Sequence, residues 1–130
     1  IEKAYQLSLE VREKAYAPYS KFKVGAVIKV SIYNELFLGC NIENASFGGT
    51  VCAERVALFN AISTTGLKKF DYLIVTTDTQ PASPPCGLCL QSLSEFCEPD
   101  FPIYLANLQG IERKILFKEL FTQPFNKDNL

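Results

Sequence analysis

The sequence predicts a single α/β domain with a mixed β-sheet and helices on both of its faces. The chain has 130 residues, which is enough for one hydrophobic core but too few for two domains. Hydrophobic residues make up 48% of the chain, including 10 Phe and 6 Tyr, as is typical of globular proteins. The predicted elements follow the order α-β-β-α-β-α-β, which favours helices packed on a mixed sheet. We therefore treat residues 1–130 as one domain.

The N-terminal part is predicted to form a helix and then a β-hairpin. Residues 2–16 carry apolar side chains at helical spacing, and Pro18 cannot continue that helix. Residues 23–32 and 35–41 are rich in β-branched and aromatic residues, so they are predicted to be strands joined by a turn at Tyr33-Asn34.

The central part is predicted to alternate between helix and strand. Residues 42–51 read as a loop. Residues 52–64 favour a helix that Gly66 ends, because glycine adopts the left-handed conformation common after a helix. Residues 72–77, "YLIVTT", are predicted to be a buried strand.

The C-terminal part is predicted to supply the last helix–strand unit. Residues 86–97 place apolar residues on one helical face, and residues 102–107 are typical of a strand. Residues 113–117 are predicted to be a fifth strand, followed by a short helix at residues 118–121.

Composition excludes several classes of function. The net charge is −1 and the basic residues are scattered, whereas proteins that bind polynucleotides usually present a concentrated positive face. No segment reaches the ~18 apolar residues of a membrane span, and no export signal is seen, so we expect a cytoplasmic protein. The chain has no histidine, which rules out Ser-His-Asp and Cys-His nucleophilic sites. In a reducing cytoplasm, its five cysteines favour metal binding or catalysis over disulfides.

The pair Cys86 and Cys89 forms a C-x-x-C motif with three interpretations: part of a zinc site, a redox pair, or packing in the core. A redox pair usually follows the first strand of a βαβ unit, and this motif follows a late strand. A structural zinc ribbon needs a second C-x-x-C, which the chain lacks. Cys52, followed by Glu54 in "CAER", is the other candidate ligand.

Together these residues favour the interpretation of a catalytic metal site. Cys52 and Cys86 are predicted to start helices, where the dipole and free N–H groups lower a thiol pKa. Cys89 lies one turn further along the same face as Cys86. Three thiolates can hold zinc and leave its fourth position to water, as in catalytic sites. Glu54 is near enough in sequence to carry a proton for that water.

The arrangement of helix-opening C-x-E and a later P-C-x-x-C resembles the zinc-dependent nucleobase deaminases. The chain as a whole is similar to the small homotetrameric cytidine deaminases, whose α/β sandwich contains a mixed five-stranded sheet between layers of helices. The similarity covers most of the chain and is carried by five segments: "YAPYSKFKVGA" (16–26), "GCNIENASF" (39–47), "CAERVALF" (52–59), "PCGLCLQ" (85–91) and "NLQG" (107–110).

The resemblance implies a reaction and the residues that catalyse it. It implies one zinc ion per chain, bound by Cys52, Cys86 and Cys89, and hydrolytic deamination of free cytidine and deoxycytidine in pyrimidine salvage. Glu54 would move the proton from water to the cytosine ring nitrogen and then to the leaving amine. The backbone N–H of Ala53 would bind the carbonyl of the base.

The resemblance also implies how the nucleoside is held. Asn41 and Glu43 would bind the ribose hydroxyl, and Phe22 would flank the nucleoside. Phe125 would reach into the pocket of a neighbouring subunit. The apolar residues near the C-terminus, Phe117, Leu120, Phe121 and Phe125, are expected to form an exposed patch that supports a tetramer.

Several alternatives stay open. Asn41 and Glu43 could be simple turn residues. A fourth thiolate from Cys40 or Cys97 would close the metal site and make it structural. Among enzymes, the alternatives are deamination of a nucleoside antibiotic such as blasticidin S and of cytosine in a polynucleotide; the near-neutral charge argues against the second.

The chain departs from the family pattern at two positions beside the cysteines. Such deaminases often have arginine after the second cysteine of C-x-x-C and serine before the proline, where this chain has Leu90 and Pro84. We therefore expect Arg55 to compensate the charge of the thiolates, because it follows Glu54 and could donate hydrogen bonds to sulfur. The alternative is a solvent-facing arginine on the helix.

Overall fold

A five-stranded mixed sheet forms the centre of the structure, a computed structural model that describes residues 1–130. The sheet has the order β2-β1-β3-β4-β5. Its only parallel pair is β3 with β4, and the other neighbours are antiparallel. The prediction of a mixed five-stranded sheet is therefore confirmed. The strands are β1 (Val24–Val30), β2 (Leu36–Cys40), β3 (Phe70–Thr77), β4 (Pro102–Asn107) and β5 (Gly110–Leu116).

Helices cover both faces of this sheet, as the sequence predicts. The alternating side chains of β1 show this: Ala26 and Ile28 pack in the cluster that contains α2 and α3, whereas Val27 packs in the cluster that contains α1. No helix is long and apolar enough to cross a membrane. The helices are α1 (Glu2–Arg12), α2 (Ala53–Thr65), α3 (Gly87–Ser94) and α4 (Phe117–Leu120), with 3₁₀ turns at Phe47–Gly49 and Lys127–Asn129.

A glycine on β2 lets helix α2 lie directly on the sheet. A Cβ atom at Gly39 would be 2.3 Å from the backbone nitrogen of Ala57 and 2.4 Å from the backbone oxygen of Ala53. Real side chains do not approach backbone atoms this closely, so no other residue fits here without moving the helix. The close contact fixes the depth of the N-terminal end of α2, which directly follows Cys52.

Element boundaries differ from the predictions by three or more residues at three places. Helix α1 ends at Arg12 rather than at residue 16, because Tyr16 leaves the helix and its N–H bonds the carbonyl of Asn41 at 3.0 Å. Helix α3 ends at Ser94 rather than at residue 97. Strand β5 begins at Gly110 rather than at residue 113, directly after a tight turn from β4.

The predicted apolar patch near the C-terminus is wrong for most of its members. Phe117 is buried in the core, and its ring lies edge-on to that of Phe121 with 5.9 Å between centroids. Leu120 and Phe121 are half-buried against the same core. Phe125 alone is exposed. The short α4 turns these side chains back under the sheet, which sequence spacing did not indicate.

Candidate active site

The three predicted metal ligands meet at the N-terminal ends of α2 and α3. Cys52 and Cys86 are the residues immediately before these helices, and both have extended backbone conformations. Cys89 lies in the first turn of α3 and is buried. Their sulfur atoms lie within 4.8 Å of one another. The structure thus brings together the cysteines that the sequence grouped.

The spacing of the sulfurs fits a tetrahedral zinc ion. Cys86 Sγ lies 3.7 Å from Cys52 Sγ and 3.6 Å from Cys89 Sγ. Two sulfurs bound to zinc at ~2.3 Å and at the tetrahedral angle are ~3.8 Å apart. Neither Cys40 nor Cys97 belongs to this group. The alternative of a closed four-cysteine site is therefore not supported, and the three ligands leave one position for water.

The thiols differ in how readily they ionise. The pKa of Cys52 is lowered to about 5, mainly by its hydrogen bond with Cys89 and further by Arg55. The pKa of Cys89 is raised because Cys89 shares its proton with Cys52 and is also buried. The lowered pKa favours the thiolate form of Cys52, which is the form that binds metal. Cys89 must release its proton when a metal ion binds.

Arg55 points toward the sulfur atoms rather than into solvent. Its Nη2 lies 3.8 Å from Cys52 Sγ and donates to the carbonyl oxygen of Thr50 at 3.3 Å. Its Nε–H is buried without a hydrogen-bond partner. Leu90, at the position where the family pattern often has a second arginine, is buried in the core. Arg55 is therefore placed to offset the negative charge of the thiolates.

Glu54 lies beside this cluster and is almost fully buried, with 5% of its surface exposed. Burial is the main reason that its pKa is raised to about 7. A carboxyl group with this pKa can both accept and donate a proton near neutral pH. Ala53, its neighbour, is the first residue of α2 and fully buried. The N–H of a first helical residue has no partner within the helix, but Ala53 is not among the residues that line the cavity described next, so its contact with the base stays a prediction.

A cavity of about 230 Å³ joins these groups to the predicted nucleoside-binding residues. Its lining includes Cys52, Glu54 and Cys86 on one side and Phe22, Asn41 and Glu43 on another. Such a mixed polar and apolar cavity suits a small polar ring.

Asn41 and Glu43 also hold the polypeptide in front of β1. Asn41 Oδ1 accepts from Val24 N at 2.9 Å, and its Nδ2 donates to the Phe22 carbonyl at 2.7 Å. Glu43 Oε1 accepts from the backbone N–H groups of Tyr19 and Ser20. Hydrogen bonds, above all that from the Ser20 hydroxyl, lower the pKa of Glu43. Both residues thus stabilise a turn and line the cavity, so the two interpretations of them are compatible.

Phe125 does not line the cavity of its own chain. Its side chain is 56% exposed, and its carbonyl oxygen accepts from Gln91 Nε2 at 2.8 Å. This hydrogen bond holds the backbone of Phe125 beside α3, the helix that contains Gln91 and Cys89. Whether it enters another subunit stays a prediction.

Among the cavity-lining residues that the sequence analysis did not single out are Ser20, Thr50 and Ser83. Ser20 lies inside the quoted segment 16–26, so a signal for it existed. Thr50 and Ser83 lie in loops, and only the folded chain brings them to the site.

Comparison with known proteins gives a consistent result. Residues 1–105 match the profile of the family described as "Cytidine and deoxycytidylate deaminase zinc-binding region". The sequence is 42% identical to the cytidine deaminase of Sporosarcina psychrophila over 130 residues, covering 100% of this chain and 94% of that protein. It is 42% identical to that of Halalkalibacterium halodurans over 123 residues, covering 95% and 92%.

Solved structures agree with the sequence comparison. The crystal structure of cytidine deaminase from Burkholderia pseudomallei superposes with a TM-score of 0.87 at 39% identity, covering 95% of this chain and 98% of that one. The cytidine deaminase from Mycobacterium tuberculosis superposes with a TM-score of 0.80 at 29% identity, covering 96% of each chain.

Proposed function

The chain belongs to the cytidine and deoxycytidylate deaminase family, and from this premise we propose how its residues carry out cytidine deaminase activity. The observation on which the proposal depends is the geometry of the site. Three cysteine sulfurs stand at tetrahedral spacing beside a buried carboxyl group, and two of these cysteines, Cys52 and Cys86, line the same cavity as Glu54. We further propose that deoxycytidine is a substrate and that the enzyme serves pyrimidine salvage.

Cys52, Cys86 and Cys89 would hold one zinc ion per chain. When bound, zinc lowers the pKa of water and so makes it a nucleophile at neutral pH. Cysteine binds zinc as the ionised thiolate, and the lowered pKa of Cys52 favours that form. Since three thiols must stay reduced, we also propose that the protein works in the cytoplasm.

Glu54 would handle the protons of the reaction. It accepts the proton that water loses on attacking C4 of the base and delivers it to the ring nitrogen N3. A second proton then passes through Glu54 to the amino group, which leaves as ammonia while the C4 carbonyl forms. Its raised pKa, about 7, suits a group that must both take and give a proton.

The remaining residues would orient the nucleoside. The N–H of Ala53 would donate to the base carbonyl, and Phe22, which lines the cavity, would flank the nucleoside. Asn41 and Glu43 line the same cavity and would bind the ribose hydroxyl. Phe125 would complete the pocket of a neighbouring subunit.

We propose a homotetramer with shared active sites. Several large apolar side chains are exposed in the single chain, although Phe117 near the C-terminus is buried. Ile42 and Phe59 line the same surface pocket, and contiguous exposed apolar surface typically marks an interface. The exposed residues include Ile42, Phe47, Phe59, Leu88 and Phe125.

Ultraviolet spectroscopy of cytidine with the purified protein tests the proposal. We expect conversion to uridine that is lost when a chelator removes zinc and is restored when zinc is added back. Parallel reactions with blasticidin S and single-stranded DNA test the alternatives. Absence of cytidine turnover in zinc-loaded protein, or turnover by protein shown to be metal-free, would contradict the proposal.

A further inference from the structure

A turn formed by residues 17–22 folds around the carboxylate of Glu43. The backbone N–H groups of Tyr19 and Ser20 donate to Glu43 Oε1 at 2.9 and 3.1 Å. The hydroxyl of Ser20 donates to the other oxygen, Oε2. The backbone of Glu43 is anchored as well, since its N–H donates to the Tyr16 carbonyl at 2.8 Å. Both carboxylate oxygens are therefore held in fixed positions.

The hydroxyl of Ser20 has a second partner. Its oxygen accepts a hydrogen bond from the backbone N–H of Phe22 at 3.0 Å. A hydroxyl can donate one hydrogen bond and accept others, so this one side chain connects Glu43 to Phe22. All three residues line the cavity that also contains Glu54. Threonine could make both bonds, whereas alanine could make neither.

The turn itself is tightly defined. Lys21 has a φ of 62°, in the left-handed region that residues other than glycine seldom adopt. Its N–H donates to the Ala17 carbonyl at 3.0 Å, and its Nζ donates to the Pro18 carbonyl at 2.8 Å. The donors that hold Glu43 thus come from an ordered segment.

The carboxylate of Glu43 retains capacity for a ligand. Two carboxylate oxygens offer about four acceptor positions, and the turn fills three of them. An oriented acceptor is thus left beside the cavity. Fixing a flexible side chain on binding costs affinity, about three- to ten-fold for each such side chain. A carboxylate that is already fixed avoids that loss.

We propose that Ser20 is a positioning residue that gives the enzyme its selectivity for nucleosides with a sugar hydroxyl. It does so by holding Glu43 ready to accept that hydroxyl. The proposal rests on the proposed function, in which Glu43 binds ribose. It predicts that the hydroxyl of Ser20 matters only for substrates that have the sugar hydroxyl.

The test compares cytidine with 2′,3′-dideoxycytidine in the zinc-loaded enzyme, as kcat/KM and as inhibition constants against cytidine turnover. Ser20→Ala should lower kcat/KM for cytidine about three- to ten-fold, mainly through KM, with little effect on the dideoxy compound. Ser20→Thr should restore most of the loss. Ser63→Ala is the matched control, because the Ser63 hydroxyl donates to the Asn60 carbonyl within α2 at 3.3 Å. This variant should leave kcat/KM for cytidine and the inhibition constant of the dideoxy compound unchanged.

Glu43→Ala distinguishes the ribose-binding role of Glu43 from the positioning role of Ser20. If it leaves the preference for cytidine over the dideoxy compound unchanged, the ribose role of Glu43 is wrong, and the role of Ser20 falls with it. If Glu43→Ala abolishes the preference but Ser20→Ala does not reduce it, only the positioning role is refuted. An equal loss for both substrates in Ser20→Ala, with a lower melting temperature, would show that Ser20 is merely structural and would also refute it.

Discussion

Replacing Arg55 with Gln should lower the affinity of the protein for zinc. The change removes a guanidinium whose Nη2 lies 3.8 Å from Cys52 Sγ. Zinc bound by three thiolates carries a formal charge of about −1, and a nearby positive charge offsets it. Gln can still donate a hydrogen bond, so the substitution removes charge more than it removes polarity.

The distance allows the size of the effect to be bounded. Two unit charges 3.8 Å apart attract by about 1 kcal/mol at the dielectric constant of water and by about 4 kcal/mol at an effective value near 20. Arg55 is only partly buried, so solvent screening keeps the value in the lower part of this range. We therefore expect zinc affinity to fall about 10- to 100-fold, which is usual for groups that support metal ligands.

The pH dependence has a definite sign. Arg55 is among the groups that lower the pKa of Cys52, so its removal raises that pKa. Protons then compete better with zinc for the sulfur, and the loss of affinity grows as the pH falls. The acid limb of the pH–rate profile should move to higher pH. Its apparent pKa belongs to the coupled water and Glu54 together.

Zinc release to a chromophoric chelator, followed at several pH values, measures the effect. Arg113→Gln serves as the control, because it removes the same charge from an exposed position on β5. Equal release rates and pH profiles in the two variants would refute the reasoning and leave Arg55 as an ordinary helix residue.

Three further predictions concern the ligands, the acid–base group and the assembly. Cys89→Ala should lose zinc and activity, whereas Cys97→Ala should keep both because burial raises the pKa of that thiol to about 12; the reverse pattern in zinc analysis would disprove the ligand assignment. Glu54→Ala should bind zinc and melt normally yet lose about 10²–10⁴-fold in kcat, and near-normal turnover would show that another group carries the proton. Light scattering should give a tetramer for the full chain, and a fully active monomer after truncation before Pro124 would exclude a shared pocket.

The metal ligands were predictable because their signal is local. Cys52 and Cys86 each stand where a loop meets a helix, and the spacing of Cys89 places it one helical turn further on. Neither inference needs knowledge of distant contacts. The sheet was likewise predictable from short runs of β-branched residues, since β1 and β3 are buried along most of their length.

The errors arose where tertiary contacts decide the outcome. The sequence predicts Phe117 on the surface, but its backbone N–H donates to the carbonyl of Phe101 at 2.8 Å, and its ring is buried in the core. The end of α1 was misplaced because Tyr16 pairs with Ile42 instead of extending the helix. The hydroxyl of Ser20 was overlooked because its partner, Glu43, is 23 residues away.

The division of the ligands between two helices makes the metal ion a cross-link in the chain. Cys52 and Cys86 are 34 positions apart, and all of β3 lies between them. Tying two such positions together removes conformational freedom from the unfolded polypeptide, a gain of about 4 kcal/mol for a loop of this length if a metal clip behaves as a disulfide does. Because this protein has no disulfides, the zinc ion that would activate water would also stabilise the fold as a cross-link. Loss of the metal would therefore lower the free energy of unfolding as well as end turnover.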